Sequence, residues 1–269
     1  MKKKIGVLVS GGGTNLQALI DAQMTGKLTS GEIAVVISSK PGAYALERAE
    51  KAGISAVCVD KKAYESRAAF EETLIKELQK HEIDVIVLAG FMLVLSDTFI
   101  RTYPDKIINV HPALIPSFCG DGFYGLHVHE KALEYGVKVT GATVHFVNEI
   151  TDGGAIILQK AVSILEDDTP ETLQQRVMKE AEHIILPEAT ELLCADKLER
   201  NGRRVIIKDA RYSQEEEPES KKSTKALVLS NSPWQKIYTK QPLIFWFFDK
   251  KKKKSEQQDS VDENKNMYV

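Results

Sequence analysis

Asn109 and His111, separated by one residue and followed by Pro112, are the residues of this chain best placed to do chemistry. The apolar run Ile107-Ile108-Asn109-Val110 reads as a strand that enters a proline-restricted turn. Strand alternation puts Asn109 and His111 on one face. An amide donor and an acid/base that titrates near neutrality then leave one strand end side by side. Such a pair can hold a carbonyl oxygen as it becomes an oxyanion, and can move a proton. Taken alone the pattern is also that of a polar strand end, and three distant segments bear on the choice.

The first is Ser10-Gly11-Gly12-Gly13-Thr14-Asn15, which comes after a strand at Ile5–Val9 and opens a helix. Glycines admit close backbone approach, and a helix N-terminus offers free N–H groups, so a phosphate is the natural guest. A ligand-free βα turn is the alternative. Leu16 stands where the third glycine of a dinucleotide fingerprint belongs, and no Gly-Lys-Ser/Thr completes a Walker loop. The second segment is Asp152-Gly153-Gly154. It is either a plain turn or a carboxylate facing His111, where it would favour the charged imidazole. His145, on the strand before it, reads as a half-buried strand residue. The third is Gly90-Phe91-Met92-Leu93-Val94-Leu95. It is either core or an apolar slot for a flat ring.

These segments need a frame. Strands are predicted at Ile5–Val9, Ile33–Ile37, Ala56–Val59, Val85–Ala89, Ile107–Val110, Ala142–Val147 and Ala155–Val162. Helices are predicted after Asn15, over Ala43–Ala52, Arg67–His81, Ser96–Thr102 and His129–Tyr135, and from Pro170 to Cys194. The alternation predicts an α/β fold, a mostly parallel twisted sheet with helices on both faces. Ligands of such sheets sit at the carboxyl ends of the strands, where both the glycine loop and Asn109 fall.

The composition is that of an ordinary globular chain of 269 residues, 43% hydrophobic and 28% charged, with a net charge of −2. Nothing in that balance points to nucleic acid as a partner. Cys58, Cys119 and Cys194 lie far apart with no Cys-X-X-Cys, which argues against disulfides or a zinc site and fits a cytoplasmic protein. No signal peptide or membrane span is expected. Residues 1–208 are expected to form the catalytic domain and residues 209–269 a disordered tail of unassigned role. That tail contains the charge run Glu215–Glu219, the apolar patch Leu243–Phe248, the lysines Lys250–Lys254, and both tryptophans, Trp234 and Trp246.

Several motifs occur in one order: Ser-Gly-Gly-Gly-Thr-Asn-Leu-Gln, Leu-Ala-Gly-Phe-Met, Ile-Asn-Val-His-Pro-Ala-Leu-Ile-Pro, Gly-Leu-His-Val-His, Val-His-Phe-Val and Asp-Gly-Gly. Together, from about Lys4 to about Arg204, the chain resembles the folate-dependent phosphoribosylglycinamide formyltransferase family. The resemblance implies a Rossmann-like formyltransferase fold and transfer of the formyl group of 10-formyltetrahydrofolate to the amine of glycinamide ribonucleotide, in purine synthesis. It implies a catalytic trio of Asn109, His111 and Asp152. It places the ribonucleotide on Gly13, Thr14, Asn15 and Glu182. It places the folate on Arg67, on Met92, Leu93, Val94 and Leu95, and beside Asn109. It implies small-molecule substrates, no metal, and a monomer or homodimer.

Two departures stand out. Leu93 replaces a residue that is often basic in the family. The segment Ser117–Tyr124 is longer than the Lys-Tyr-Pro-like link of some members, and it is expected to form a flap near the substrates. Cys119 within that flap reads as a spectator thiol. Two related activities compete. A formyltetrahydrofolate hydrolase would use a similar site on water, but carries a regulatory domain ahead of the catalytic one, and none is expected before Ile5. A methionyl-tRNA formyltransferase shares Asn-X-His-Pro, but lacks this phosphate loop and adds a basic tRNA-binding domain. A non-catalytic binding or scaffolding protein is the reading from another class.

Overall fold

A computed structural model of the protein describes residues 1–212. The charge run, the apolar patch, the lysine run and both tryptophans of the expected tail lie outside the described residues. Nine strands and seven α-helices are present among those described: β1 (Lys3–Val9), α1 (Thr14–Met24), β2 (Gly31–Ser38), α2 (Tyr44–Lys51), β3 (Ser55–Cys58), α3 (Arg67–Lys80), β4 (Val85–Leu88), α4 (Asp97–Thr102), β5 (Ile107–His111), α5 (Leu126–Tyr135), β6 (Val139–Phe146), β7 (Ile156–Ser163), α6 (Pro170–Val177), α7 (His183–Cys194), β8 (Leu198–Asn201) and β9 (Arg204–Ile207).

The first seven strands form one sheet in the order β3-β2-β1-β4-β5-β6-β7. Strands β1 to β5 run parallel, and β6 and β7 are added antiparallel. The predicted fold class is therefore the observed one. Strand alternation divides the core between the two faces of the sheet. Ile5 and Val7 of β1 and Val85 and Val87 of β4 pack with Leu16 and Leu19 of α1 and with Leu186 and Leu192 of α7. Leu8, Ile86 and Leu88 point the other way, to Phe70, Leu74 and Leu78 of α3 and Phe99 of α4. This is why those strands read as unbroken apolar runs.

Strand order reverses between β1 and β4. The chain leaves β1 toward β2 on one side and continues from β4 to β5 on the other, which opens a crevice at the carboxyl ends of β1 and β4. The glycine loop and the apolar loop flank that crevice, and β5 delivers Asn109 beside it.

Three local expectations need correction. The helix expected from Pro170 to Cys194 is split by a π turn, Met178–Glu182. A π turn admits one extra residue and shifts the register of the helix beyond it. Pro187, inside α7, likewise has no N–H to give to the preceding turn. The hairpin β8–β9 is an addition to the expected elements, although Asn201-Gly202 is a hairpin-turn dipeptide and Gly202 takes φ 61°. Its strands are four residues each and half-buried at best, too short for apolar periodicity to mark them. Finally, the body reaches past Lys208. Asp209 accepts from Lys197 Nζ at 2.6 Å, Arg211 bonds to Glu188 at 3.1 Å, and Tyr212 packs on the core.

Gly141 marks the tightest strand contact that a side chain would break. A Cβ there would lie 2.0 Å from the Lys160 carbonyl oxygen and 2.9 Å from Leu114. Gly141→Ala is expected to destabilise the body by about 3 kcal/mol, mainly by forcing β6 from β7. Thermal unfolding should show a midpoint lower by about 6–12 °C; an unchanged midpoint would refute the packing argument.

Candidate active site

A cavity of about 690 Å³ lies at the strand ends, lined by the apolar loop, the flap, and Asn15, Asn109, His145, Asp152 and Glu182. Its polar centre is built on β5, β6 and the turn after β6. Asn109 pairs in register with His145 across the antiparallel β5–β6 ladder. His145 Nδ1 lies 2.8 Å from the Phe146 carbonyl, so Nδ1 carries hydrogen and donates. Nε2 lies 3.3 Å from the Asn109 amide nitrogen and 3.6 Å from Asp152 Oδ1, so it accepts from the amide when it carries no hydrogen and donates to the carboxylate when it carries one.

His111 is 4% exposed. Its Nε2 lies 2.9 Å from the Phe118 carbonyl, and its Nδ1 lies 3.4 Å from Asp152 Oδ2. Both neighbours are acceptors, an arrangement complementary to the doubly protonated ring. Burial nevertheless pulls the His111 pKa below its ordinary value, against Asp152 and the Phe118 carbonyl, which raise it. The simple expectation that Asp152 leaves His111 with a raised pKa is thus corrected, because the carboxylate arrives together with desolvation.

Asp152 is itself buried, which pushes its carboxyl up. The His145 and His111 rings and the Gly120 N–H, which donates to Oδ2 at 2.9 Å, outweigh that and hold it below the usual range. The Asp-Gly-Gly sequence is dictated by the backbone. Asp152 takes φ 53°, in the left-handed region that aspartate tolerates better than most residues. A Cβ on Gly153 would meet Ile150 at 2.6 Å, and one on Gly154 would lie 1.6 Å from the Phe146 carbonyl oxygen. Only glycines let this turn carry a carboxylate to the strand ends.

The glycine loop is built for a different guest. Gly13 takes φ 71° as the N-cap of α1 and offers no side-chain cap to the helix. A Cβ at Gly13 would strike Ala45 at 2.7 Å, whereas Gly11 and Gly12 have nothing within 4 Å of theirs. The loop is fixed from behind by Ala45 N–H to the Gly11 carbonyl and by Arg48 Nε to the Gly12 carbonyl. Open backbone and an uncapped helix end are what an anionic group requires. Next to it, the Asn15 amide donates to Glu182 Oε2 at 2.6 Å, while Asn15 Oδ1 is buried without a partner among the described residues. Burial pushes the Glu182 carboxyl up to about 7, with Asn15 opposing.

The apolar loop forms one wall. Met92 and Val94 are exposed, Phe91 and Leu95 buried, and Leu93 half-buried. The flap is tied to the Asp152 turn by Gly120 and by Thr151 Oγ1 to Asp121 at 2.8 Å. Phe118 rests on Phe123 and Tyr135. Among the described residues Cys119 bonds only to the Pro116 carbonyl, and burial raises its thiol pKa, which suits a spectator.

Of the residues expected from sequence, Asn15, Met92, Leu93, Val94, Leu95, Asn109, Asp152 and Glu182 line this cavity, and His111 is paired with Asp152. Thr14 instead lines a groove between α1 and α7, and Gly13 lines neither. Arg67 is outside the lining; its Nε is held by Glu71 at 3.0 Å. His145 is the residue that sequence reasoning undervalues. It is 2% exposed and sits between Asn109 and Asp152 Oδ1, 3.6 Å away. The alternation of β6 places it on the right face, but only the antiparallel register puts it opposite Asn109. No group of His, Cys, Asp and Glu suited to a metal occurs among the described residues, and no helix there is long and apolar enough to cross a membrane.

Residues 3–190 match the formyl transferase family, and the chain belongs to it. More narrowly, it is 43% identical over 181 residues to the phosphoribosylglycinamide formyltransferase of Escherichia coli (strain K12), a match covering 67% of this chain and 82% of that one. Its structure is similar to that of glycinamide ribonucleotide transformylase 1 from Symbiobacterium toebii, with a TM-score of 0.73 and 47% identity over 77% of this chain and 95% of that one. It is also 46% identical over 204 residues to the trifunctional purine biosynthetic protein adenosine-3 of Bos taurus; this match covers 75% of the chain but only 20% of that much longer protein. The resemblance read from the motifs is borne out.

Glu182 gives the site a measurable pH signature. Its pKa is raised from 4.5 to about 7 in the folded protein. The folded state therefore favours the protonated carboxyl. The associated stability is fully present below about pH 4.5 and is lost as pH rises through about 7. Glu182→Gln should remove this slope, worth about 3 kcal/mol across that window. Denaturant unfolding at pH 5 and pH 8 would then differ less in the variant than in the unmodified protein; an equal difference would refute the assignment.

Proposed function

We propose that the chain transfers the formyl group of 10-formyltetrahydrofolate to the amine of glycinamide ribonucleotide, giving formylglycinamide ribonucleotide and tetrahydrofolate. This is a cytoplasmic step of purine synthesis on two small-molecule substrates. The observation that carries the reading is the constellation of Asn109, His111 and Asp152 between a phosphate-ready glycine loop and an apolar slot, in a chain of this family.

The glycine loop would take the phosphate at Gly13, Thr14 and Asn15, with Glu182 receiving the neighbouring part of the ribonucleotide. Met92–Leu95 would take the folate ring. The substrate amine attacks the formyl carbon, and the carbonyl oxygen becomes an oxyanion. The Asn109 amide and a ring N–H of His111 stabilise it, each such donor typically lowering the barrier by about 3–4 kcal/mol. Asp152 orients the His111 ring. It also accepts the proton that the amine loses, directly or through water, and returns it to the folate nitrogen as the carbon–nitrogen bond breaks. Both nitrogens of His111 already face acceptors. Contact with a formyl oxygen therefore requires Phe118 or Asp152 to give one up.

The test is release of tetrahydrofolate from 10-formyltetrahydrofolate by the full chain, with and without glycinamide ribonucleotide. Release that depends on the ribonucleotide is expected. Release without it would point to hydrolysis, and none in either case would refute catalysis. In the same assay His111→Ala should lower kcat by about 10²–10³-fold, with tetrahydrofolate affinity retained; a near-normal kcat would sink the role of His111.

A further inference from the structure

The apolar loop has no regular structure of its own, yet two buried polar anchors fix it. Near its start, Met92 N–H donates to Ser10 Oγ at 3.0 Å, and Ser10 Oγ lies 2.7 Å from Ser39 Oγ. At its end, Glu71 of α3 receives Ser96 N–H at 2.8 Å on Oε1, the Ser96 hydroxyl on Oε2, and Arg67 Nε at 3.0 Å on Oε1. Ser96 is also the N-cap of α4, accepting from Phe99 N–H at 3.2 Å, and Phe99 is fully buried. The residue immediately before this knot is Leu95, the last of the slot.

Glu71 is 5% exposed. A carboxylate that far from water is costly unless its oxygens are engaged. Its helical partner Arg67 is half exposed, and a pair of that kind contributes little by itself. What satisfies Glu71 is Ser96, and Ser96 meets it only when the loop ends in one conformation. The carboxylate thus penalises any displacement of the slot.

Resting on the formyl transfer proposed above, we propose that Glu71 is a positioning residue for the folate. Its buried carboxylate, through Ser96, fixes the end of the Gly90–Leu95 loop and so the shape of the slot that takes the folate ring. It touches neither substrate. Removing it should weaken folate binding without slowing the chemical step, because the trio is carried by β5 and the Asp152 turn.

The test compares Glu71→Ala, Glu71→Gln and Ser96→Ala with the unmodified chain. Glu71→Ala is expected to raise KM for 10-formyltetrahydrofolate about tenfold, and Glu71→Gln, which keeps an acceptor for Ser96, about threefold. In each variant kcat should stay within about twofold, and KM for glycinamide ribonucleotide should not move. If Glu71→Ala does not fold, the other two variants carry the comparison. A fall in kcat with KM unchanged, or no change in either, would overturn the proposal. Calorimetric titration with tetrahydrofolate gives the same fold-changes without any transfer. A chain that binds tetrahydrofolate but does not formylate the amine refutes the activity, and the binding ratios still decide the role of Glu71. A chain that does not bind tetrahydrofolate overturns both.

Discussion

A buried carboxylate must find partners for its oxygens, and Asp152 finds three: the Gly120 N–H at 2.9 Å, His111 at 3.4 Å and His145 at 3.6 Å. Each partner comes from a different part of the chain, namely the flap, β5 and β6. Meeting those contacts at once fixes how the flap sits over the strand ends and how β6 registers on β5. It also explains the strained approach: Asp152 sits in the left-handed region, and the next two residues are glycines at which a Cβ would collide with the chain. Backbone strain held at a functional residue is tolerated where the surroundings over-determine it, as they do here.

The reversal of strand order supplies the second constraint. Because β1 and β4 are neighbours whose connections diverge, their carboxyl ends cannot be covered by either crossover. The two loops that line the gap are not independent. Ser10, the residue that leads into the glycine loop, holds Met92 of the apolar loop. A subsite suited to an anion and a subsite suited to a flat ring are therefore set relative to one another by one hydroxyl. The two substrates of the proposed transfer, which must meet within bonding distance, would need that kind of fixed spacing.

Much of this is legible in the sequence because it rests on local patterns. Asn109 and His111 share a face by strand alternation alone. The three glycines after β1 declare a loop open to a ligand, and apolar runs such as Val85–Leu88 declare a sheet covered on both sides. The illegible part depends on partners distant in the chain. His145 looks like any strand residue until β6 pairs antiparallel with β5. Arg67 looks free to reach a ligand, yet Glu71 one turn away holds its Nε, and that carboxylate is occupied for the sake of Ser96. The π turn that presents Glu182 leaves no mark on an apolar periodicity that runs through it. The charge state of His111 escapes a sequence reading for the same reason. A neighbouring carboxylate can be inferred from a motif, but the loss of water around the pair cannot.

Two of the carboxyl groups lining the cavity, Asp152 and Glu182, are treated alike by burial and differently by their neighbours. Asp152 faces two imidazoles and a backbone N–H, and stays ionised. Glu182 has one neutral amide, and its pKa rises to about 7. Environments that push two acids apart assign them different work. In the proposed transfer an ionised Asp152 would accept the proton of the attacking amine and orient the His111 ring. A Glu182 that holds its proton near neutrality can donate as well as accept, and beside Asn15 Oδ1, unpartnered among the described residues, it presents both kinds of hydrogen-bonding atom. Such a pair suits a neutral, hydroxyl-bearing part of a ligand whose anionic end rests on the glycine loop. In the proposed transfer the proton-handling carboxylate and the ligand-holding carboxyl would thus be separated by their surroundings rather than by their chemistry, which would keep the binding group from drawing off the proton that catalysis must return.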